Sequence, residues 1–228
     1  MGESKDDKVP AGRAATETRA AGRGRRRGPT LGRQLILTAA HAQFGEFGYQ
    51  ATTIRGIARA AGVDAKLVYY YFGTKGELFT AAIAATFRAR GFPDILAEHA
   101  RAGEESPGTR YVAAILTTLE HADIGPAFIG LVRNLGTHEE SRQIFLRFVT
   151  EELISILAPQ LVAERPETRV ALAGSQLLGV VLARYVLKVP PLAELEIDVV
   201  ARSIGPSIDR YISGEVYWGD DEPVRSPQ

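Results

Sequence analysis

Residues 52–78 read Thr-Thr-Ile-Arg-Gly-Ile-Ala-Arg-Ala-Ala-Gly-Val-Asp-Ala-Lys-Leu-Val-Tyr-Tyr-Tyr-Phe-Gly-Thr-Lys-Gly-Glu-Leu. The spacing predicts two short helices with a tight turn between them. The first runs from about Thr53 to Ala60 with Ile54, Ile57 and Ala58 facing inward. Gly62 interrupts it, and the second runs from about Asp64, a good N-cap, to Tyr70. After Gly73, Thr74-Lys75-Gly76-Glu77 has the capping-box spacing, threonine at N-cap and glutamate at N3. It opens a longer helix through Leu78, Phe79, Ala82, Ile83 and Phe87.

Upstream, Leu35, Ile36, Ala39, Ala40, Phe44 and Phe47 recur at three- and four-residue steps, an amphipathic helix that Gly48 is placed to end. A long helix propping two short ones about a glycine turn forms a helix-turn-helix, and its second helix fits the DNA major groove. That helix offers Ala65, Lys66, Tyr69 and Tyr70, and Lys75 opens the next one. Lysine neutralises phosphate, tyrosine hydroxyls donate to phosphate oxygens, and a small Ala65 permits close approach to the groove floor. Three adjacent tyrosines cannot all face inward on so short a helix; Tyr71 and Phe72 are assigned to the core.

These residues resemble the DNA-binding signature of the TetR family of one-component regulators: a threonine-rich helix start, Ile-Ala, Ala-Gly-Val, a tyrosine-rich recognition helix, then Phe-x-x-Lys-x-x-Leu. The resemblance implies an all-α homodimer whose N-terminal three-helix domain binds a double-stranded operator, with a C-terminal helical bundle for an effector and dimerisation. Carried over by position, Thr53 and Arg55 touch phosphate or base, Lys66, Tyr69 and Tyr70 are recognition-helix contacts, and Lys75 meets phosphate. Leu67 departs from the small or polar residues usual there and packs on the first helix or a thymine methyl. Arg55 has an alternative partner in Glu46.

Around this core the chain divides into four parts. Residues 1–29 are rich in Gly, Ala and Arg, with a basic run at Arg23, Arg25, Arg26 and Arg27, and are expected to be a disordered arm, either solvated or tracking DNA. Residues 30–76 form the helix-turn-helix domain, 77–213 the effector and dimerisation domain, and 214–228 a loose tail. The net charge of zero conceals an asymmetry: residues 1–90 hold 15 Lys+Arg against 7 Asp+Glu, residues 91–228 hold 12 against 20. One half suits a polyanion and the other does not.

Beyond Pro93, breakers delimit helices at roughly 94–101, 108–121, 125–136, 138–158, 166–188 and 195–213. Sustained period-two alternation is missing, so the fold class is all-α. The segment Gln176–Leu187 followed by Pro191-Leu192 resembles a C-terminal domain frequent among actinobacterial members, whose last two long helices pair as a four-helix bundle. Leu178, Val181, Tyr185, Ile197, Val200, Ile204 and Ile208 are the expected dimer interface. Phe128, Arg133, Phe145 and Phe148 are candidate effector-pocket residues, with Arg184 a possible acid partner.

The chain contains no cysteine, which excludes disulfides, thiolate metal sites and cysteine nucleophiles. His99, His121 and His138 are dispersed, and neither a Ser/His/Asp set nor a glycine-rich phosphate loop is present, so no catalytic residue, metal or cofactor is assigned. Met1 is followed by Gly-Glu-Ser-Lys-Asp-Asp, and the most apolar run, Leu177 to Ala183, is cut by Arg184. The expectation is therefore a cytoplasmic, nucleoid-associated regulator, a repressor released by a small molecule. The alternative is an activator, or a regulator controlled by a protein partner.

Overall fold

The computed structural model describes residues 29–97, 105–121 and 123–219, all helical or looped, with no strand among the described residues. The basic arm, the 98–104 segment and the last nine residues lie outside them.

Helix α1 (Pro29–Ala51) is broken at Gly48, where φ is 72° and ψ is 175°. Glycine carries that backbone at no steric cost. The Thr52 hydroxyl, buried beyond the break, lies 2.7 Å from the Gly48 carbonyl and 2.9 Å from that of Gln43, serving acceptors the break frees. Ile36, Leu37, Ala40 and Phe44 are buried along α1. Phe47, expected among them, is 49 % exposed; across the break Tyr49 takes the core position, its ring 5.1 Å from that of Phe79.

The next three helices begin and end on local caps. The Thr53 side chain accepts from Gly56 N–H at the start of α2 (Ile54–Ala61). Gly62, left-handed, ends α2 with its N–H on the Arg59 carbonyl while Val63 N–H reaches Ala58, a Schellman arrangement. Asp64 accepts from Lys66 N–H at 2.7 Å and starts α3 (Ala65–Phe72). Thr74 and Glu77 close the expected capping box on α4 (Lys75–Ala89): Thr74 N–H donates to the Glu77 carboxylate at 2.7 Å, and Glu77 N–H to the Thr74 hydroxyl at 3.1 Å.

The C-terminal helices are α5 (Phe92–Ala97), α6 (Pro107–Glu120), α7 (Gly125–Arg133), α8 (Glu139–Arg147), α9 (Ser155–Leu157), α10 (Pro166–Val181), α11 (Pro190–Glu194) and α12 (Ile197–Ser213). The 138–158 helix expected from sequence exists, but its middle, Phe148–Ile154, is π-helical, and α10 likewise continues as a π turn over Leu182–Val186. Each π turn carries a longer register than the 3.6-residue period, a local widening often found at functional sites. Helix α11 sits inside a stretch read as a loop.

Helices α6 and α12 cross at two glycines. A Cβ added at Gly205 would lie 2.6 Å from both N and Cα of Thr109, and the Asp209 carboxylate accepts from Gly108 N–H at 2.7 Å, capping α6 from the neighbouring helix. The apolar stripe of α12 is spent on this packing. Val200 and Ile208, with Val181 of α10, are 1 %, 0 % and 3 % exposed within one protomer, so these three belong to the protomer core and not to an interface. Leu178, Tyr185, Ile197 and Ile204 are half-buried at its edge.

Two arginines are buried as internal struts. Arg169 donates to the carbonyls of Tyr211 and Gly214, both at 2.9 Å, and lies over the Trp218 ring, whose N–H donates to Glu164. Residues 214–219, expected to be loose, are thereby docked. Arg184 donates to the carbonyls of Leu192 and Leu195, both at 2.7 Å, and pairs with Glu120 at 3.1 Å. It holds the α11 connection and is not available to an acid ligand. Tyr185, pushed up to about 12 by burial, donates to the same Glu120. Pro166–Val186 is long and apolar enough on composition to cross a bilayer, yet only 39 % of its apolar window is buried in the protomer.

Gly205→Ala should lower unfolding stability by about 1–3 kcal/mol, because the added methyl meets backbone that cannot step aside. Equilibrium urea unfolding followed by circular dichroism checks this; an unchanged midpoint would show that α6 and α12 can separate freely.

Candidate nucleic-acid interface

The caps that delimit α2 and α3 also decide which side chains face out. On α2, Ile54, Ile57, Ala58 and Ala61 are buried, leaving Thr53, Arg55 and Arg59 exposed. On α3, Val68 and Phe72 are buried, leaving Lys66, Tyr69 and Tyr70 exposed. Tyr69 and Tyr70 present 55 % and 80 % of their surface, a large aromatic area for a folded domain to leave in water. Ala65 is half-buried at the first turn of α3. Leu67 packs toward α1: its Cδ2 lies 3.7 Å from the Cβ position of Gly32, beside the ring of Tyr71. The α1 alternative for Leu67 is therefore the one realised.

Arg55 is exposed and makes no ion pair with Glu46 or any other described residue. Arg33 of α1, not singled out from sequence, lies with its guanidinium 5.1 Å from the centre of the Phe72 ring. Its position was not legible because it depends on α3 folding back onto the start of α1. Lys75 behaves differently from Lys66. Its ammonium donates to the carbonyls of Tyr49 at 3.0 Å and Thr52 at 3.3 Å, and sits 4.2 Å from the centre of the Tyr49 ring. It clamps the broken end of α1 to the start of α4 and retains one N–H beyond those two acceptors.

The end of α1 and the start of α4, which flank α2 and α3, rest on the C-terminal domain through α8. Tyr49 donates to Glu140 at 2.5 Å; burial first, then the carboxylate beside it, raises the pKa of that phenol. Ile144 lies so close to Gly76 that a Cβ there would be 3.1 Å from its Cγ1. Arg147 pairs with Glu77 at 2.7 Å, the same carboxylate that closes the capping box. From the α1 side, the backbone of Asp123, just before α7, touches Gly45.

The opposite side of this helical run faces a cavity of about 250 Å³ in the C-terminal domain. Phe128, Phe145 and Phe148, expected as pocket residues, line it together. Arg133 does not: it is exposed at the end of α7, since only Ala127, Phe128, Leu131 and Val132 of that helix turn inward. Phe87, from the last turn of α4, and Tyr111 of α6 were missed. Both lie in ordinary apolar helix patterns that carry no sign of a cavity.

The N-terminal profile described as bacterial regulatory proteins of the tetR family matches residues 36–82, and a tetracyclin repressor-like C-terminal domain profile matches residues 105–212. The dual transcriptional regulator CecR of Shigella flexneri is 50 % identical over 46 residues, a match spanning 20 % of the length of either protein. A TetR-family regulator of Streptomyces coelicolor A3 is 33 % identical, with 83 % of this chain and 99 % of that one covered at a TM-score of 0.57. A Mesorhizobium loti regulator, 16 % identical, shares the fold over 82 % of this chain and 98 % of its own at a TM-score of 0.53. The order of the caps, the exposed α3 face and similarity to the Streptomyces regulator over 83 % of this chain lead to one conclusion: this chain belongs to the TetR family of DNA-binding transcriptional regulators, and it is not an enzyme.

Proposed function

We propose that the protein is a ligand-responsive repressor, acting on chromosomal DNA in the cytoplasm as a homodimer that binds a palindromic operator and leaves it when a small molecule fills the C-terminal cavity. The observation that carries this reading is that the helices walling the cavity also hold the DNA-facing helices. Helix α4 has Phe87 on the cavity and Glu77 in the cap against α3. Helix α8 and its π extension have Phe145 and Phe148 on the cavity and Glu140, Ile144 and Arg147 on the helix-turn-helix. A ligand that favours one position of these helices over another shifts the recognition helix by the same differential affinity.

Thr53, Arg55, Ala65, Lys66, Tyr69 and Tyr70 supply the DNA contacts in this reading, and the remaining N–H of Lys75 meets a phosphate. Dimerisation uses the outward faces of α10 and α12. On α10, Gln176 and Gly179 are exposed, Ala183 in the π turn after it is half-buried and Leu187 just past that turn is exposed; on α12, Val199, Ser203 and Pro206 are exposed. Small residues at helical spacing let two helices approach closely, and a helix apolar on a face left open needs a partner there. Pro206 interrupts no contact on such a face, since the helical hydrogen bond it forgoes lies at the surface.

A Lys66→Ala/Tyr69→Ala double variant should bind the intergenic DNA flanking its own gene at least about 100-fold more weakly than the wild type. The slope of log affinity against log salt should fall by roughly 2 per dimer, one for each lysine lost. Fluorescence anisotropy at two salt concentrations measures both, and the melting temperature should not move because both side chains are exposed. Equal affinity of variant and wild type for that DNA would place the recognition surface elsewhere.

The capping link is also sensitive to pH. The backbone N–H and hydroxyl of Thr74, then Arg147, hold the Glu77 carboxyl below its ordinary value of 4.5. A depressed folded value makes the stabilisation complete above the unfolded value and removes it as pH falls through the folded one. The stability difference between wild type and Glu77→Gln should be constant above about pH 5 and shrink below pH 4.5. Urea unfolding across that range tests it; a difference that grew toward acid would contradict the assigned partners.

A further inference from the structure

The cavity has a specific chemistry. None of its lining residues is Asp, Glu, Lys, Arg or His. The polar groups on its wall come from Tyr111 and Ser175. Ser175 is exposed and spends its proton on the Leu172 carbonyl at 2.7 Å; with Ala171, also exposed, it marks where the cavity opens. Tyr111 is 3 % exposed, and its hydroxyl makes no hydrogen bond to any described residue. The phenol stands on the cavity wall without being sealed off, so its hydroxyl is a donor free to meet a molecule there.

The rest of the wall is built of rings. Phe148 stands edge-on to Phe87 at 5.3 Å and to Phe128 at 5.7 Å, and Phe145 lies 6.3 Å from Phe128. Rings in these attitudes offer both faces and edges to a further ring entering among them. An apolar cavity of about 150 Å³ takes up benzene. By proportion, the 250 Å³ found here holds a compact molecule of about ten non-hydrogen atoms, the size of two fused rings. An ionised group inside would find no opposite charge, and burying one unpaired is costly.

We propose that the molecule this cavity takes is an uncharged, compact aromatic compound with one hydrogen-bonding oxygen, which pairs with the Tyr111 hydroxyl. The inference rests on the cavity being the effector site and adds the ligand's chemical class. It excludes carboxylates, organic cations and sugars.

Three probes of one shape separate the terms: naphthalene, 1-naphthol and 1-naphthoate, titrated into the full-length protein and followed by calorimetry. The expected order is 1-naphthol tightest, naphthalene weaker, and 1-naphthoate at least about 100-fold weaker than 1-naphthol. Tyr111→Phe keeps the ring and removes only the hydroxyl. It should weaken 1-naphthol by about 5–10-fold and leave naphthalene unchanged. Its melting temperature without ligand reports that the core has survived.

Binding of 1-naphthoate or octanoate as tightly as 1-naphthol would overturn the ligand class, as would no binding by any probe below millimolar concentration. An unchanged affinity of Tyr111→Phe for 1-naphthol would overturn the role of the hydroxyl. Release of operator DNA is measured separately by anisotropy. Binding in the expected order without release keeps the ligand class and instead overturns the effector reading on which it rests.

Discussion

The structure depends on how α4 is held at both ends. At its start, Thr74 and Glu77 close a capping box, Lys75 reaches back to the carbonyls at the end of α1, and Arg147 of α8 holds the Glu77 carboxylate. At its far end, Phe87 stacks against Phe92 and faces Phe148 among the rings of the C-terminal cavity. The first turn thus fixes where the recognition helix stops, and the last turn is part of the cavity wall. A rigid helix with both ends engaged cannot relax at one without moving the other. Close-packed contacts such as Ile144 on Gly76 and Asp123 on Gly45 leave no slack on either side.

The charges are divided by task in the same way. Two arginines of the C-terminal domain are drawn inward: Arg169 and Arg184 satisfy backbone carbonyls that would otherwise be orphaned at the ends of α12 and α11. Those of α2 remain outside, exposed and without carboxylate partners. Arg55, Arg59 and Lys66 thus present positive charge on the face that would meet phosphate, whereas Arg169 and Arg184 are structural.

What could be read from the chain divides along local and non-local lines. The helix-turn-helix was legible because its signals are local: Thr53, Asp64 and Thr74 cap the helices they precede, and Gly62 and Gly73 end them, all within a few residues of sequence. The C-terminal helices were legible from their breakers, to within a turn or so. The π turns were not, because an extra residue in a helical turn leaves the apolar pattern almost unchanged. The stripe on α12 showed that one face is buried but not whether a neighbouring helix or a second subunit covers it; α6 covers it, so Val200 and Ile208 were misplaced. Lys75 and Arg133 show the same limit. A charged side chain on a helix has its length set by sequence, but its partners come from tertiary packing. Tyr111, the buried polar residue of the cavity wall, carried no local sign at all.

The coupling between cavity and recognition helix is the central claim, and the absence of cysteine from the chain makes it directly measurable. An Ala60→Cys variant places a single spin label on the exposed side of α2 in each subunit. Double electron–electron resonance then reports the distance between the two DNA-binding domains of a dimer. The account predicts one defined distance in the free protein and a displaced one when 1-naphthol saturates the cavity. A distribution that stays where it was at saturation would contradict the coupling, and the absence of any dipolar signal would contradict the dimer.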